Sequence, residues 1–354
     1  MPELNNRSAP DSSLPQGALV HRADRRADVP VVTIIDYSEA SFQEKQVTSV
    51  EECFPFRDTK SVSWINIDGM QDVGFIERLG QHFGFHPLVV EDILDLSQRP
   101  KCEDMESYIL IATKMFMIDD EESGIKSEQV SLVLGENFVV SFQESRGDVF
   151  NAIRERIRTG KGRVRKMGAD YLAYSLVDAV VDNYFVVMEQ LGDAVEEMET
   201  EVLTNPSVGT LTAIHGLKRD MTYLRKSVWP LREVLSALMR SESDLIQETT
   251  NVFLRDVYDH TIQVIDTLEI LRDVLSDLVD VYLSSITNRT NEIMKVLTVF
   301  MSVCMPMTVV TGIYGMNFQF LPEIHWRWGY YFALGLLAAI SITLSVYFKR
   351  KKWF

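Results

Sequence analysis

Two apolar stretches near the C-terminus constrain the fold of this chain more than any other feature. Residues 296–313 and 328–348 contain no charged side chain. The first is long enough for about 27 Å of helix, close to the roughly 30 Å hydrocarbon core of a bilayer. Two buried helices of a soluble protein are the alternative. Membrane spans are favoured, because aromatic residues gather at one end of the second stretch and Lys349-Arg350-Lys351-Lys352 closes the other.

The charges around these stretches predict a topology. By the positive-inside rule, Lys295 and the basic tail at 349–354 lie in the cytoplasm, and the loop at 314–327 lies outside. Two crossings then return the N-terminal part to the cytoplasm. Residues 291–354 hold two acidic and six basic side chains, a net charge of +4, so the −16 of the whole chain leaves −20 for the rest. Such a negative surface keeps a large domain soluble and also attracts cations.

The pattern of the N-terminal part predicts an α/β domain behind a short tail. The polar residues 1–16 predict disorder, and the domain is expected over residues 17–147. Its β-rich runs at 31–35 and 108–112 alternate with short helices, and two further runs joined at Gly135-Glu136-Asn137 predict a hairpin. We also expect an apolar helix at 88–96, in which His86 before Pro87 helps the helix to start.

Long amphipathic helices follow the α/β domain. Residues 148–247 predict a helical hairpin region, with helices at 170–203 and 211–240 paired antiparallel across Asn205-Pro206. No proline or glycine occurs from residue 231 to residue 305, so this range is predicted to be helical, with at most a break at 241–243. Its part at 248–313 would be a stalk that continues into the first transmembrane helix. The signalling stalk of a two-span receptor is the alternative.

Small, polar and sulfur-containing residues of this segment fall on one helical face. They recur every three or four residues: Asn291, Met294, Leu297, Met301, Met305, Thr308 and Gly312. Two helices cannot enclose a pore, so a conduit lined by this face requires several copies around an axis. Packing of the face against a neighbouring helix is the alternative. Beyond it, the turn Tyr314-Gly315-Met316-Asn317 would present polar oxygens at the membrane entrance.

No pattern for catalysis or nucleotide binding stands out. Thr159-Gly160-Lys161-Gly162 is glycine-rich but lacks the spacing of a phosphate-binding loop, and it is interpreted as an exposed basic turn. The histidines, including His260, lack metal-ligand spacing and are predicted to be structural or solvent-exposed. Three scattered cysteines indicate a reduced compartment. The chain is therefore not predicted to be an enzyme or to bind nucleic acid.

Several motifs together resemble one family. The tripeptide Gly315-Met316-Asn317 stands between the two apolar stretches, with Leu321-Pro322-Glu323 after it. Further motifs precede it: His86-Pro87-Leu88, Glu91-Asp92-Ile93-Leu94, Gln98-Arg99-Pro100, Trp229-Pro230-Leu231-Arg232-Glu233, Asp256-Val257-Tyr258-Asp259-His260 and Tyr282-Leu283-Ser284-Ser285. This set resembles the CorA family of magnesium transporters over nearly the whole chain beyond residue 16.

The resemblance implies an α+β membrane protein that forms a funnel-shaped homopentamer in a bacterial or archaeal plasma membrane, with both termini cytoplasmic. The stalk helix would line the pore, and the second transmembrane helix at 328–348 would surround it. The implied activity is passive, potential-driven uptake of Mg²⁺, extending to Co²⁺ and Ni²⁺, with no organic cofactor. Gly315, Met316 and Asn317 would select the hydrated ion, which sheds water reluctantly. An apolar constriction at residues 294–301 would close the path by dewetting.

The resemblance also implies a brake. Asp92 and Asp256 look like the pair that holds a regulatory Mg²⁺ between subunits, and Glu91, Asp178 and Asp182 like a looser second site. Asp280 and Glu323 are weaker candidates. Asp280 ends a stripe of carboxylates spaced by seven residues, for which a solvated helix face is an equally good interpretation. A zinc transporter of the same architecture remains the alternative function, although such relatives usually vary the residue corresponding to Met316.

Overall fold

The computed structural model describes residues 30–119, 124–316, 326–351 and 353. The predicted tail and two predicted site residues, Asn317 and Glu323, lie outside the described residues. The chain divides into two compact units. One contains the chain up to Glu197 together with His215–Leu275, and the other contains Met198–Ile214 and Ser276–Phe354.

The first unit contains a seven-stranded sheet. Neighbouring strands run antiparallel except β3 and β7, which are parallel. In spatial order the strands are β2 (Phe42–Val47), β1 (Val31–Tyr37), β3 (Val62–Asp68), β7 (Phe138–Gln143), β6 (Gly124–Leu134), β5 (Ile109–Asp119) and β4 (Lys101–Asp104). The predicted runs at 31–35 and 108–112 coincide with β1 and β5, and β6 and β7 form the predicted hairpin. These predictions are confirmed.

Apolar side chains cover both faces of the central strands. On one face, Val32 and Ile65 join a core to which helices α1 (Val73–Phe83) and α2 (Pro87–Leu94) contribute. Trp64 points to the other face because side chains alternate along a strand. There its ring lies 6.0 Å from that of Phe150. Burial on both faces therefore fixes β3 in the middle of the sheet.

Local hydrogen bonds determine where α2 begins and ends. Pro87 lies in its first turn, and Nδ1 of His86 accepts from the Leu88 amide at 3.2 Å, which confirms the predicted role of His86. The helix ends at Leu94, so the prediction that it continues to residue 96 is wrong. Asp95 has an extended backbone, and its carboxylate accepts from the amide and the hydroxyl of Ser97. This local turn competes with a further helical turn.

Long helices make up most of the remaining chain. They are α4 (Ala169–Thr204), α5 (Val208–Arg240), α6 (Glu248–Tyr314) and α7 (Gly329–Arg350), after a short α3 (Asn151–Thr159). The predicted helices at 170–203 and 211–240 are confirmed within a few residues. The predicted break near 241–243 is present and extends to residue 247. Helix α6 has 67 residues and continues through Pro306 rather than ending there.

Three helices of the described chain are long and apolar enough to cross a membrane: α4, α6 and α7. They differ in burial. In α4, 61% of the apolar window is buried inside the chain, whereas only 6% is buried in each of α6 and α7. The apolar surface of α4 is thus used in the core of the protein, and the two predicted spans are the helices whose apolar surface lacks such cover.

Candidate functional site

The face of α6 that was predicted to line a conduit is uncovered in this chain. Its seven residues are all exposed. The long apolar side chains keep about half or more of their surface free: 53% for Met294, 49% for Leu297, 57% for Met301 and 68% for Met305. The Thr308 hydroxyl donates a hydrogen bond to the Cys304 carbonyl of the same helix at 3.0 Å. The face is available for contact with something outside the single chain.

The start of the predicted selectivity turn closes the C-terminus of α6. The Gly315 amide donates to the Thr311 carbonyl at 2.9 Å, and the Met316 amide donates to that of Ile313 at 3.3 Å. A Cβ at residue 315 would lie only 3.2 Å from the Thr311 oxygen, so glycine suits this close turn. Gly315 and Met316 are both exposed. The turn therefore ends α6 at Tyr314.

Asp92 on α2 is already engaged by two donors of the same chain. The Lys101 ammonium lies 2.5 Å from Oδ2, and Nε2 of Gln98 donates to Oδ1 at 2.5 Å. Lys101 also contacts Oε1 of Glu103 at 2.9 Å. The Asp92 side chain is 18% exposed and that of Lys101 is 25% exposed. This predicted Mg²⁺ ligand is thus held in a half-buried ion pair.

A second group of possible ligands forms where α4 meets α6. Asp178, Asp182 and His260 each offer a ligand atom, and these atoms lie within 4.8 Å of one another. Phe253 on α6 packs its ring 5.2 Å from that of Tyr171 and 5.3 Å from that of Tyr174, which holds the two helices together. Nδ1 of His260 is buried without a hydrogen-bond partner. Two carboxylates and an imidazole nitrogen suit a divalent cation, and the nitrogen favours a transition metal.

The electrostatics of this group favour binding of a cation. Burial first, and then the charge of the neighbouring Asp182, raise the pKa of Asp178 to about 6. The Tyr174 hydroxyl, which donates to Asp178 at 3.3 Å, and His260 act in the opposite direction. A carboxylate with a raised pKa is costly to keep ionised. A bound divalent cation would remove that cost.

We expect the stability of the metal-free protein to rise when the pH falls from about 7.5 to about 5. The folded pKa of Asp178 is above its ordinary value, so folding takes up a proton in this range, and the unfavourable ionised form is lost. Added Mg²⁺ or Co²⁺ should raise the unfolding temperature at the higher pH and much less at the lower one. Thermal unfolding followed by circular dichroism measures both effects. Asp178→Asn should flatten the pH dependence, and an unchanged profile would contradict this assignment.

The other predicted regulatory residues are not all gathered in one place. Glu91 and Asp256 belong to no group of three or more possible ligands among the described residues. Asp256 nevertheless lies near the second group, because its charge acts on Tyr174. The pKa of Tyr174 is raised mostly by burial, then by the Asp178 charge, and least by the Asp256 charge. Asp280 is exposed on α6. This exposure fits the alternative interpretation of the stripe that ends at Asp280, in which its carboxylates form a solvated helix face.

Sequence reasoning missed two residues of these groups. His260 was predicted to be structural or solvent-exposed, but the fold brings it to Asp178 and Asp182 from a helix far along the chain. Lys101 received no role, although it lies only nine residues after Asp92. The sequence signals for His260 were its place at the end of the motif Asp256-Val257-Tyr258-Asp259-His260 and its position one helical turn after Asp256. The signal for Lys101 was weaker still, because its contact depends on how β4 passes the end of α2.

Comparison with known proteins decides the family. Residues 59–350 match the profile of a family described as CorA-like Mg²⁺ transporter protein, which is most of the chain. The chain belongs to the CorA family. A cobalt/magnesium transport protein CorA of Thermotoga maritima is 50% identical over 340 residues, covering 96% of this chain and 97% of that protein. The predicted family is therefore confirmed.

Solved structures support the CorA-like fold. The complete structure of the CorA magnesium transporter from Methanocaldococcus jannaschii matches with a TM-score of 0.74 at 22% identity, covering 93% of this chain and 100% of that chain. The cytoplasmic domain of ZntB from Vibrio parahaemolyticus is a more distant match, with a TM-score of 0.58 at 12% identity over 73% of this chain and 98% of that domain. The predicted α/β domain, long helices and C-terminal apolar helices are confirmed at this level.

Proposed function

We propose that this CorA-family chain is a membrane channel for Mg²⁺ and Co²⁺, and that Ni²⁺ also passes. The observation that carries the proposal is the uncovered face of α6, which leads from Asn291 to the turn at Gly315. Its close relative in Thermotoga maritima is named for cobalt and magnesium transport. Zinc is the less favoured cargo, because the ZntB domain matches this chain only in fold. Met316 also keeps the tripeptide that zinc-handling relatives usually vary.

Several copies of the chain must surround one path. One α6 face cannot enclose an ion, so a path lined by that face requires several copies around an axis. Five copies, the number implied by the family, would turn Leu297 and its methionine neighbours into apolar rings that close by dewetting. Helix α7 would then face lipid, with Lys349 and Arg350 at its cytoplasmic end. We place the termini in the cytoplasm and the protein in the plasma membrane.

Selection would take place at the outer end of this path. Mg²⁺ binds water strongly, so a ring of Asn317 amides with Gly315 carbonyls would hold the hydrated ion through its water shell. Uncharged oxygen ligands hold a divalent ion less tightly than a ring of carboxylates would, which permits release. The membrane potential would drive uptake, since it contributes about 4.6 kcal/mol per 100 mV for a divalent cation. Glu323 is a weaker candidate for attracting the ion outside.

Uptake that runs downhill requires a brake, which we assign to the carboxylates of the first unit. Mg²⁺ would bind Asp92 and Asp256 between neighbouring copies, while Asp178, Asp182 and His260, with Glu91, form a second site. When cytosolic Mg²⁺ falls, these ions would leave, and the like charges at the contact would repel one another. The path would then open. This is feedback inhibition by the transported ion.

Ion flux into vesicles tests the proposed function. Purified protein is placed in vesicles that contain a Mg²⁺-sensitive dye, and uptake is started with an inside-negative potential. We expect uptake of Mg²⁺ and Co²⁺ that grows with the potential, and slower uptake of Zn²⁺. Vesicles without protein serve as the control. A two-span receptor or scaffold predicts no flux above that control, and such a result would refute the proposal.

A further inference from the structure

We propose that the Lys101 ammonium is a built-in competitor for Mg²⁺ at Asp92, and that it sets the Mg²⁺ concentration at which the brake engages. The inference rests on the proposed function, because it takes Asp92 as a regulatory Mg²⁺ ligand. It adds a residue of the same chain that must leave the carboxylate before the ion can bind. The metal-free state is then an occupied carboxylate rather than an open one.

The competitor is positioned by the end of α2 and the start of β4. Asp92 lies in the last turn of α2, and Lys101 is the first residue of β4. Both Asp92 oxygens are occupied, one by Nζ of Lys101 and the other by Nε2 of Gln98, each at 2.5 Å. With exposed fractions of 18% and 25%, the two charged side chains are largely screened from water. A pair in this setting is stronger than a fully exposed one.

The ammonium and Mg²⁺ exclude one another at this carboxylate. Mg²⁺ takes oxygen ligands, and a hydrated ion at Oδ2 would occupy the space of Nζ and repel its charge. The apparent affinity for Mg²⁺ is therefore the intrinsic affinity multiplied by the fraction of Asp92 that is free of Lys101. A more stable ion pair raises the Mg²⁺ concentration at which the brake engages, and a weaker ion pair lowers it.

A second acceptor keeps the displaced ammonium nearby. Oε1 of Glu103 lies 2.9 Å from Nζ of Lys101 and two residues further along β4. Glu103 therefore gives the ammonium a partner when Mg²⁺ takes its place at Asp92. Its exchange between two carboxylates requires only side-chain rotation.

Lys114, the other lysine in this region, makes different contacts. Nζ of Lys114 donates to the Leu96 carbonyl at 2.6 Å and reaches Oε1 of Gln129 at 3.4 Å. Nε2 of Gln129 in turn donates to the Asp92 backbone carbonyl at 3.3 Å. These contacts fix the backbone at the end of α2 and leave the carboxylate alone. Of the two lysines, Lys101 is the one in contact with the carboxylate.

Replacing Lys101 tests the inference by the direction of a shift. The full-length protein is digested with protease over a series of Mg²⁺ concentrations, and the concentration that gives half-maximal protection is measured. We expect Lys101→Met to lower this concentration about tenfold, as if the free fraction of Asp92 rose from about a tenth to nearly all. Lys101→Arg, which keeps a cation, should stay near the wild type. A residue that merely supported Asp92 would give the opposite shift when removed.

Further variants separate this inference from the proposed function. Lys45→Met removes a lysine of similar exposure that is paired with Glu52 in the same unit, and it should not change the half-point. Lys101→Gln, which keeps a donor without the charge, should also lower it and serves if Lys101→Met does not fold. An unchanged or raised half-point in Lys101→Met and Lys101→Gln overturns the inference. An unchanged half-point in Asp92→Asn instead overturns the assignment of Asp92 as a regulatory ligand.

Discussion

Replacing Asn317 by alanine is expected to reduce Mg²⁺ uptake at least about tenfold, because each copy in the ring loses an amide worth about 1 to 3 kcal/mol to the hydrated ion. The apolar rings below and the brake in the first unit would remain intact. The loss should therefore appear as a lower rate at every Mg²⁺ concentration, without a change in feedback. Dye-loaded vesicles with wild type and variant protein at equal amounts measure it.

Gln319→Ala provides the matched control for this change. It removes a side-chain amide from the same segment but outside the tripeptide, and uptake should stay within about twofold of the wild type, because Gln319 is assigned no part in selection. Both variants must elute with the size of the wild-type assembly. Equal losses in the two variants would contradict the special role of Asn317. Normal uptake in Asn317→Ala would show that ion selection does not depend on Asn317.

Charge reversal at Asp92 or Asp256 is the second large effect. We expect Asp92→Lys to remove most inhibition by Mg²⁺ on the cytoplasmic side, or to raise the inhibitory concentration at least about tenfold, because a ligand is replaced by a repelling cation. The new lysine would also lie beside Lys101. Asp256→Lys should act in the same way without that second repulsion. Current or flux measured at increasing cytoplasmic Mg²⁺ gives the inhibitory concentration.

Two further variants test whether the loss of inhibition is specific to charge reversal at these carboxylates. Asp58→Lys makes the same charge change at a highly exposed site of the first unit, with 86% of its side chain free, and should leave inhibition unchanged. Asp92→Asn removes the negative charge without adding a positive one, and it should weaken inhibition to a smaller extent. If Asp92→Lys and Asp256→Lys both keep wild-type inhibition, the brake does not use these carboxylates.

Much of the architecture could be predicted because its signals are local. Hydrophobic length identified α6 and α7, and the lack of proline and glycine predicted most of α6. Two short apolar runs joined at Gly135-Glu136-Asn137 predicted the hairpin of β6 and β7. The end of α2 was predicted less well, because the Asp95 side chain captures the Ser97 amide and stops the helix. Such a local competition leaves little trace in a hydrophobic pattern.

The candidate site was predicted only in part, since its contacts are made in three dimensions. The family resemblance supplied Asp92, Asp178 and Asp182. Their partners Lys101 and His260 depend on how separate elements pass each other, and no spacing along the chain encodes that. The α4 helix illustrates the same limit from another side. Its apolar window is long and apolar enough for a membrane span, and its burial in the fold separates it clearly from α6 and α7.

The parallel pairing of β3 with β7 has a consequence for how the protein is made. Strand β3 ends at Asp68, and the strand that pairs with it, β7, ends at Gln143. The ribosome must therefore release both strands before the middle of the sheet can form. The uncharged stretch that begins at residue 296 follows about 150 residues later. At about 5 to 20 residues per second, that interval lasts roughly 8 to 30 s. The middle of the sheet therefore has time to close before the first apolar stretch leaves the ribosome.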